Sequence, residues 1–363
     1  MVPPNVDPGE WRREFVANCP KCPKCDANIK RLRPRMMKCP ACGGRKTREE
    51  TFTTFQCDHT LIGRDGVAGA VFHADQLAAP YAAWGVKYVI PTYHPAYCLR
   101  SNKHGKSGRI GGQYAANATV LHLKKARELL RRDASFPVDV LSTKDPKVAK
   151  RWFDAHAKEV HGVDIETNAK GGSWACTRIT CIGFATMRDE QALVIDTRDI
   201  PEWSTPMTKR QAALLDKIQD WLVDPERKKV FHNGVYDRMV IRRIFGVEVE
   251  GVVGDTMLEH NATFPDEEHG LGFCSHELTD APAWKDSRKP WPKDEIHNLS
   301  GYESFESLAL YNAQDVRATI AVHTTLVGEG EDSRGLLHTE GVPAAAALDL
   351  TLQRIAVDME EAG

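Results

Sequence analysis

The chain has 363 residues, 42% of them hydrophobic and 27% charged, which is enough to build the cores of two or three domains. A formal net charge of -2 gives no global basic bias toward nucleic acid, and no apolar run is long enough to span a bilayer. The start, Met1-Val2-Pro3-Pro4, lacks the apolar segment of a secretion signal, so the ten cysteines read as reduced thiols or metal ligands in a cytosolic protein.

Residues 1–60 form a first segment rich in Cys, Pro and basic side chains. Between Lys21 and Arg48 the only acid is Asp26. Two Cys-x-x-Cys knuckles, Cys22-Pro23-Lys24-Cys25 and Cys39-Pro40-Ala41-Cys42, can present four thiolates tetrahedrally to Zn2+. A structural zinc would replace a core too small to fold alone, which is the pattern of a zinc ribbon. Cys19 makes a second in-phase pair with Cys22, so the first ligand pair can shift. Lys30, Arg31, Arg33, Arg35 and Lys38 lie between the knuckles. They read equally as phosphate contacts and as a solvated basic loop. Residues 61–136 hold a short α/β pattern, with a strand over 86–90 and a helix over 116–132. Polarity and Pro137 interrupt the helical period over 132–137, which reads as a linker.

Residues 137–330 make the main domain. The pattern predicts a helix over 144–157 and a buried strand over 160–165. Antiparallel strands over 178–186 and 192–195 follow. A helix over 208–222 starts at the N-cap candidate Thr208. A short strand over 230–232 precedes a helix over 236–245, and further helices cover 256–261 and 305–325. This order predicts an α/β domain with a mixed sheet flanked by helices. Residues 335–363 begin another helix, with Leu348, Leu350, Leu352, Ile355 and Met359 at near-helical spacing.

Three acidic segments carry the chemistry. Asp164-Ile165-Glu166-Thr167 lies on a strand, where positions two apart share a face and can present both acids to one cation. Asn233-Gly234-Val235-Tyr236-Asp237-Arg238 opens a helix; Asn233 either caps it or contacts substrate. Tyr311-Asn312-Ala313-Gln314-Asp315 sits on a helix, with the phenol and the carboxylate one turn apart. Alone, each reads as solvated or capping acids. In this order they form a set of hard oxygen ligands suited to two divalent cations and phosphodiester cleavage.

Together with Asp255-Thr256-Met257-Leu258-Glu259, these segments resemble the DEDD superfamily of 3′→5′ exonucleases, in the subclass with tyrosine in the third segment. The nearer resemblance is to the proofreading domain of family A DNA polymerases, the bacterial DNA polymerase I type, over about 138–330. It implies a ribonuclease H-like fold and two Mg2+ or Mn2+ ions. Asp164, Glu166 and Asp315 would hold the first ion, Asp164 would bridge to the second, and Asp237 would act near the second through water. Tyr311 would orient the attacking water, and Thr167 and Asn233 would meet the substrate. Four crowded carboxylates should repel one another and raise their pKa values. The implied partner is a single-stranded DNA 3′ end.

Pro91-Thr92-Tyr93-His94-Pro95-Ala96-Tyr97-Cys98-Leu99-Arg100 resembles a segment of the iron–sulfur type of the uracil-DNA glycosylase superfamily. There the His-Pro loop enters the minor groove beside an extruded base, which gives His94 that role and Arg100 a supporting one. The half of that fold that would activate water is missing, so glycosylase activity is expected to be lost. The ending Met359-Glu360-Glu361-Ala362-Gly363 resembles the lead-in to a family A polymerase domain. The polymerase itself is absent, so the chain reads as truncated or split, in a bacterial or viral replication context, with a polymerase domain supplied by another chain. The rival readings are an RNA-trimming 3′→5′ exonuclease and a DNA-binding module on an inactive nuclease scaffold. No membrane partner is expected.

Overall fold

The structure, a computed structural model, describes residues 30–33, 36–38, 45–46, 68–76, 85–93, 112–168, 176–201, 206–285, 304–328, 335–336 and 342–362. Cys22, Cys25, Cys39 and Cys42 of the expected zinc site lie outside them, as do His94 and Arg100. Three short strands, β1 (Lys30–Arg33), β2 (Met36–Lys38) and β3 (Arg45–Lys46), pair antiparallel in that order.

Next come an antiparallel pair, β4 (Phe72–His73) and β5 (Tyr88–Val89), and the helix α1 (Gly112–Glu128). The strand expected over 86–90 thus shrinks to two residues. The helix begins and ends earlier than its apolar spacing predicts, and beyond its end Arg132 pairs with Asp280.

The main domain runs β6 (Asp139–Thr143), α2 (Pro146–Ala155), β7 (His161–Thr167), β8 (Ile179–Ala185), β9 (Gln191–Asp196), α3 (Lys209–Val223), β10 (Lys229–Phe231), α4 (Gly234–Phe245), β11 (Val252–Asp255), α5 (Thr256–Thr263), α6 (Leu271–Leu278) and α7 (Phe305–Val327). A last helix, α8, spans Val342–Ala362. The six-stranded sheet has the order β11-β10-β7-β8-β9-β6, and only β8 runs against its neighbours. This is the expected mixed sheet flanked by helices. Thr208 caps α3 in a reciprocal capping box with Gln211.

Side chains alternate across the sheet with the period of the strand. On β9, Leu193 and Ile195 join one core while Ala192 and Val194 join the other. The first core packs α2, α3 and α4 through Trp152, Phe153, Trp221 and Phe245. The second packs α7, and here the sheet surface is small. An added Cβ at Gly162 would lie 2.5 Å from the Val316 carbonyl oxygen, and one at Gly183 would lie 2.0 Å from Asn312 Oδ1. Glycine at these two positions lets α7 settle almost onto the backbone of β7 and β8.

The 132–137 stretch, expected as a linker, is fixed to the main domain. Arg132 pairs with Asp280, whose Oδ2 also accepts from Ser135 N at 3.1 Å, and Phe136 stacks on Trp284. The preceding segment is fixed as well. Val71 N donates to Ala281 O at 3.2 Å, and the buried His122 and Glu277 side chains meet at 2.9 Å.

Candidate active site

Strand β7 passes through the sheet centre, and its face toward α7 reads Gly162, Asp164, Glu166. The glycine admits the helix; the two acids lie where the helix presents Tyr311, Asn312 and Asp315. Asp164, Glu166 and Asp315 each offer a carboxylate oxygen within 4.8 Å of the others. Asp237 arrives from the first turn of α4, and its Oδ1 accepts from Ile165 N at 3.1 Å, between the two strand acids. Asn312 donates from Nδ2 to Asp164 Oδ2 at 2.8 Å and so fixes that carboxylate.

Electrostatics follow from burial. Asp164 is held well above the usual carboxylate range, first by desolvation and then by the charges of Asp315, Asp237 and Glu166. Asp237 is pushed up to about 8, again mainly by burial, with the Ile165 N–H opposing the rise. The direction is the one expected from crowding, but its leading cause is loss of water rather than mutual repulsion.

Tyr311 is buried, and its Oη accepts from Lys285 Nζ at 3.2 Å. Lys285 also ion-pairs with Asp315 Oδ2, and Trp284 Nε1 donates to Asp315 Oδ1 at 2.6 Å. Thr167 at the end of β7 has its hydroxyl 2.9 Å from Tyr236 Oη. Asn233 occupies the N-cap position of α4 but makes no side-chain cap bond. Among the described residues it is the one non-glycine with positive φ, at 59°, a left-handed conformation that asparagine tolerates. The cap comes from Asp255 instead. Its carboxylate accepts from Asn233 N at 3.0 Å, Gly234 N at 2.7 Å and Met257 N at 3.0 Å, and from Gln353 Nε2 at 2.5 Å.

An all-oxygen cluster with one protein ammonium already drawn to it suits a hard divalent cation, Mg2+ or Mn2+, better than a thiophilic one. Asp164, Glu166 and Asp315 fit such an ion by their mutual reach.

Residues 142–331, more than half of the chain, match a family model described as 3′-5′ exonuclease. The protein belongs to this 3′-5′ exonuclease family. It is accordingly a nuclease of the hydrolase class, and the acid cluster lies inside the matched region. No curated protein matches the chain. Among solved structures the exonuclease is similar to Trypanosoma brucei RNase D at 18% identity, over 61% of this chain and 72% of that one, with a TM-score of 0.45. It is similar to Escherichia coli RNase D, an exoribonuclease involved in structured RNA processing, at 17% identity and a TM-score of 0.45, over 61% of this chain and 51% of that one. Brucella melitensis NrnC with bound Mg2+ is similar at 18% identity and a TM-score of 0.43, over 62% of this chain and 94% of that one.

Four residues of the exonuclease site have roles that the sequence did not reveal. Asn312 sits inside a recognised segment, so its place was visible but its bond to Asp164 was not. Asp255 likewise belongs to a recognised segment and proves to be a shared helix cap. Trp284 and Lys285 belong to no motif, and nothing in the local pattern marks them.

Proposed function

We propose that this protein is a divalent-metal-dependent exonuclease that removes nucleotides from the single-stranded 3′ end of DNA, in the proofreading role of family A polymerases. The observation that carries this reading is the convergence of Asp164, Glu166 and Asp315 within 4.8 Å, with Asp237 bonded to the β7 backbone between the two strand acids and Tyr311 one turn before Asp315 on α7. Asp164, Glu166 and Asp315 would hold one cation, and Asp164 and Asp237 would serve a second. When bound, the cation pair supplies the charge that acidifies water and stabilises the departing 3′ oxygen. Tyr311 orients the attacking water toward phosphorus. Thr167 and Asn233 border the substrate path at the ends of β7 and α4. Burial raises the carboxyl pKa values of Asp164 and Asp237, so cation uptake should compete with protons and tighten as pH rises.

The carboxylates do not distinguish sugars. DNA is favoured by the glycosylase-like segment with His94 and Arg100 and by the family A-like ending. In the same proposal Cys22, Cys25, Cys39 and Cys42 hold a structural Zn2+. The β1–β2 hairpin falls between the two knuckles and β3 follows the second, an order that supports a ribbon. The protein then acts in the cytosol together with a polymerase domain.

The test is digestion of matched 5′-labelled DNA and RNA oligonucleotides with and without Mg2+. A DNA ladder shortening from the 3′ end only with Mg2+ is expected. Faster trimming of RNA overturns the choice of DNA, and no cleavage of either overturns the reading. Metal analysis of purified protein should find one zinc per chain; none defeats the ribbon.

A further inference from the structure

The exonuclease reading accounts for the acids and the phenol but not for the cation beside them. Lys285 donates from Nζ to Tyr311 Oη at 3.2 Å and pairs with Asp315 Oδ2. Its Nζ lies 4.9 Å from the Tyr311 ring centroid and 5.7 Å from that of Trp284. The stem crosses α6 at Gly272, where an added Cβ would lie 3.1 Å from Lys285 Cγ. Trp284 holds the other Asp315 oxygen at 2.6 Å. Both oxygens of this carboxylate therefore carry protein donors, and one of those donors is positively charged.

Asp315 is also one of the three carboxylates that fit a divalent ion. The indole hydrogen bond is neutral and compatible with an ion on the carboxylate. The ammonium is not, because it places a like charge against the incoming cation. Without any cation, however, Asp315 would be a buried charge amid other acids, which is costly. Lysine suits a temporary partner: it is a point charge on a flexible stem, and this side chain keeps a third of its surface exposed.

We propose that Lys285 is a built-in counter-cation of the active site. It occupies Asp315 while the site holds no divalent ion, competes with that ion for the carboxylate, and on displacement keeps Tyr311 as its partner. It thus acts as a positioning residue for the phenol. The inference rests on the metal-dependent reading above.

The test is binding of Mn2+ to the full chain after EDTA stripping, without substrate, followed by electron paramagnetic resonance of free Mn2+. Asp164→Asn serves to subtract ions bound elsewhere. Lys285→Met should bind Mn2+ about tenfold more tightly at the acid cluster, and the second neutral variant Lys285→Gln should match it. Lys285→Arg, which keeps the charge, should not gain affinity. At saturating Mn2+ the neutral variants should turn over more slowly, since the phenol loses the Lys285 hydrogen bond that positions it. Tighter metal with lower kcat is a split that a merely damaged site does not produce. Equal or weaker Mn2+ binding in both neutral variants overturns the proposal. Identical isotherms for wild type and Asp164→Asn remove the metal reading itself, and this inference with it.

Discussion

The two faces of the sheet are built from opposite materials. Toward α2, α3 and α4 the surface is aromatic and close-packed, with Trp221 stacked on Phe153 at 5.3 Å and edge-on to Phe184 at 4.7 Å between centroids. Burial on this side disfavours the charged form of ionisable groups. His161 is pushed down to about 3 by burial, and Lys229 to about 7 while its Nζ donates to two backbone carbonyls. Toward α7 the sheet offers Gly162, Gly183, Cys181, Ala185 and Ala192, and the volume saved brings a helix within reach of Asp164 and Glu166. Large residues stabilise the fold by burying apolar area. Small ones give up some of that area so that acids on two elements can meet.

Changes that respect this division should separate activity from stability. The largest effect belongs to the acids: Asp164→Ala or Asp315→Ala should lower kcat about 10³-fold while cooperative thermal unfolding persists. Wild-type rates in either variant would undo the site. Next comes a neighbouring pair on opposite faces. Phe184→Ala should cost about 3–5 kcal/mol in denaturant unfolding, yet retain cleavage at low temperature. Gly183→Ala should cost about 1–3 kcal/mol, and because its Cβ would strike Asn312, it should lose cleavage disproportionately. If both variants lose activity only in step with stability, the two faces are not distinct in the way described. A smaller effect is expected for Asn312→Ala, which frees Asp164 Oδ2 and should weaken the apparent metal constant about tenfold in a Mg2+ titration of activity.

The last prediction is a slope rather than a loss. Asp237 is raised to about 8 in the fold, so between its ordinary carboxylate pKa and 8 the folded protein binds more protons than the unfolded chain. Its contribution is fully present below the ordinary value and is lost as pH rises through about 8. In EDTA, Tm should therefore fall across this window, and Asp237→Asn, which keeps an oxygen for Ile165 N, should flatten the decline. A Tm profile unchanged by the substitution would show that Asp237 ionises as it does in water.

Much of this was legible in the sequence where signals were local. The apolar runs gave β7, β8 and β9, the capping chemistry gave α3, and the three acidic segments gave Asp164, Glu166, Asp237, Tyr311 and Asp315. β6 was missed because Asp139-Val140-Leu141-Ser142-Thr143 is an edge strand with two apolar residues and reads as an extension of the Pro137 stretch. β11 was missed because it is four residues long and contains Gly254. α6 spans eight residues after an N-cap glycine that makes no side-chain bond, so no start signal marks it. Trp284 and Lys285 meet Asp315 across some thirty residues of chain, and no periodicity reports a contact of that kind. Burial as the chief cause of the raised carboxylates was hidden for the same reason, since it depends on what packs above the site.

Asp255 holds together parts that the chain keeps far apart. Its single carboxylate fastens the start of α4, the start of α5 and Gln353 on α8. A tug on the last helix can therefore reach the turn bearing Asp237 through this side chain, alongside the Arg242–Asp358 pair that also joins α8 to α4. Whatever grips that helix has a mechanical handle on the turn that carries Asp237, and Gln353→Leu would remove one of its ties while leaving every acid in place.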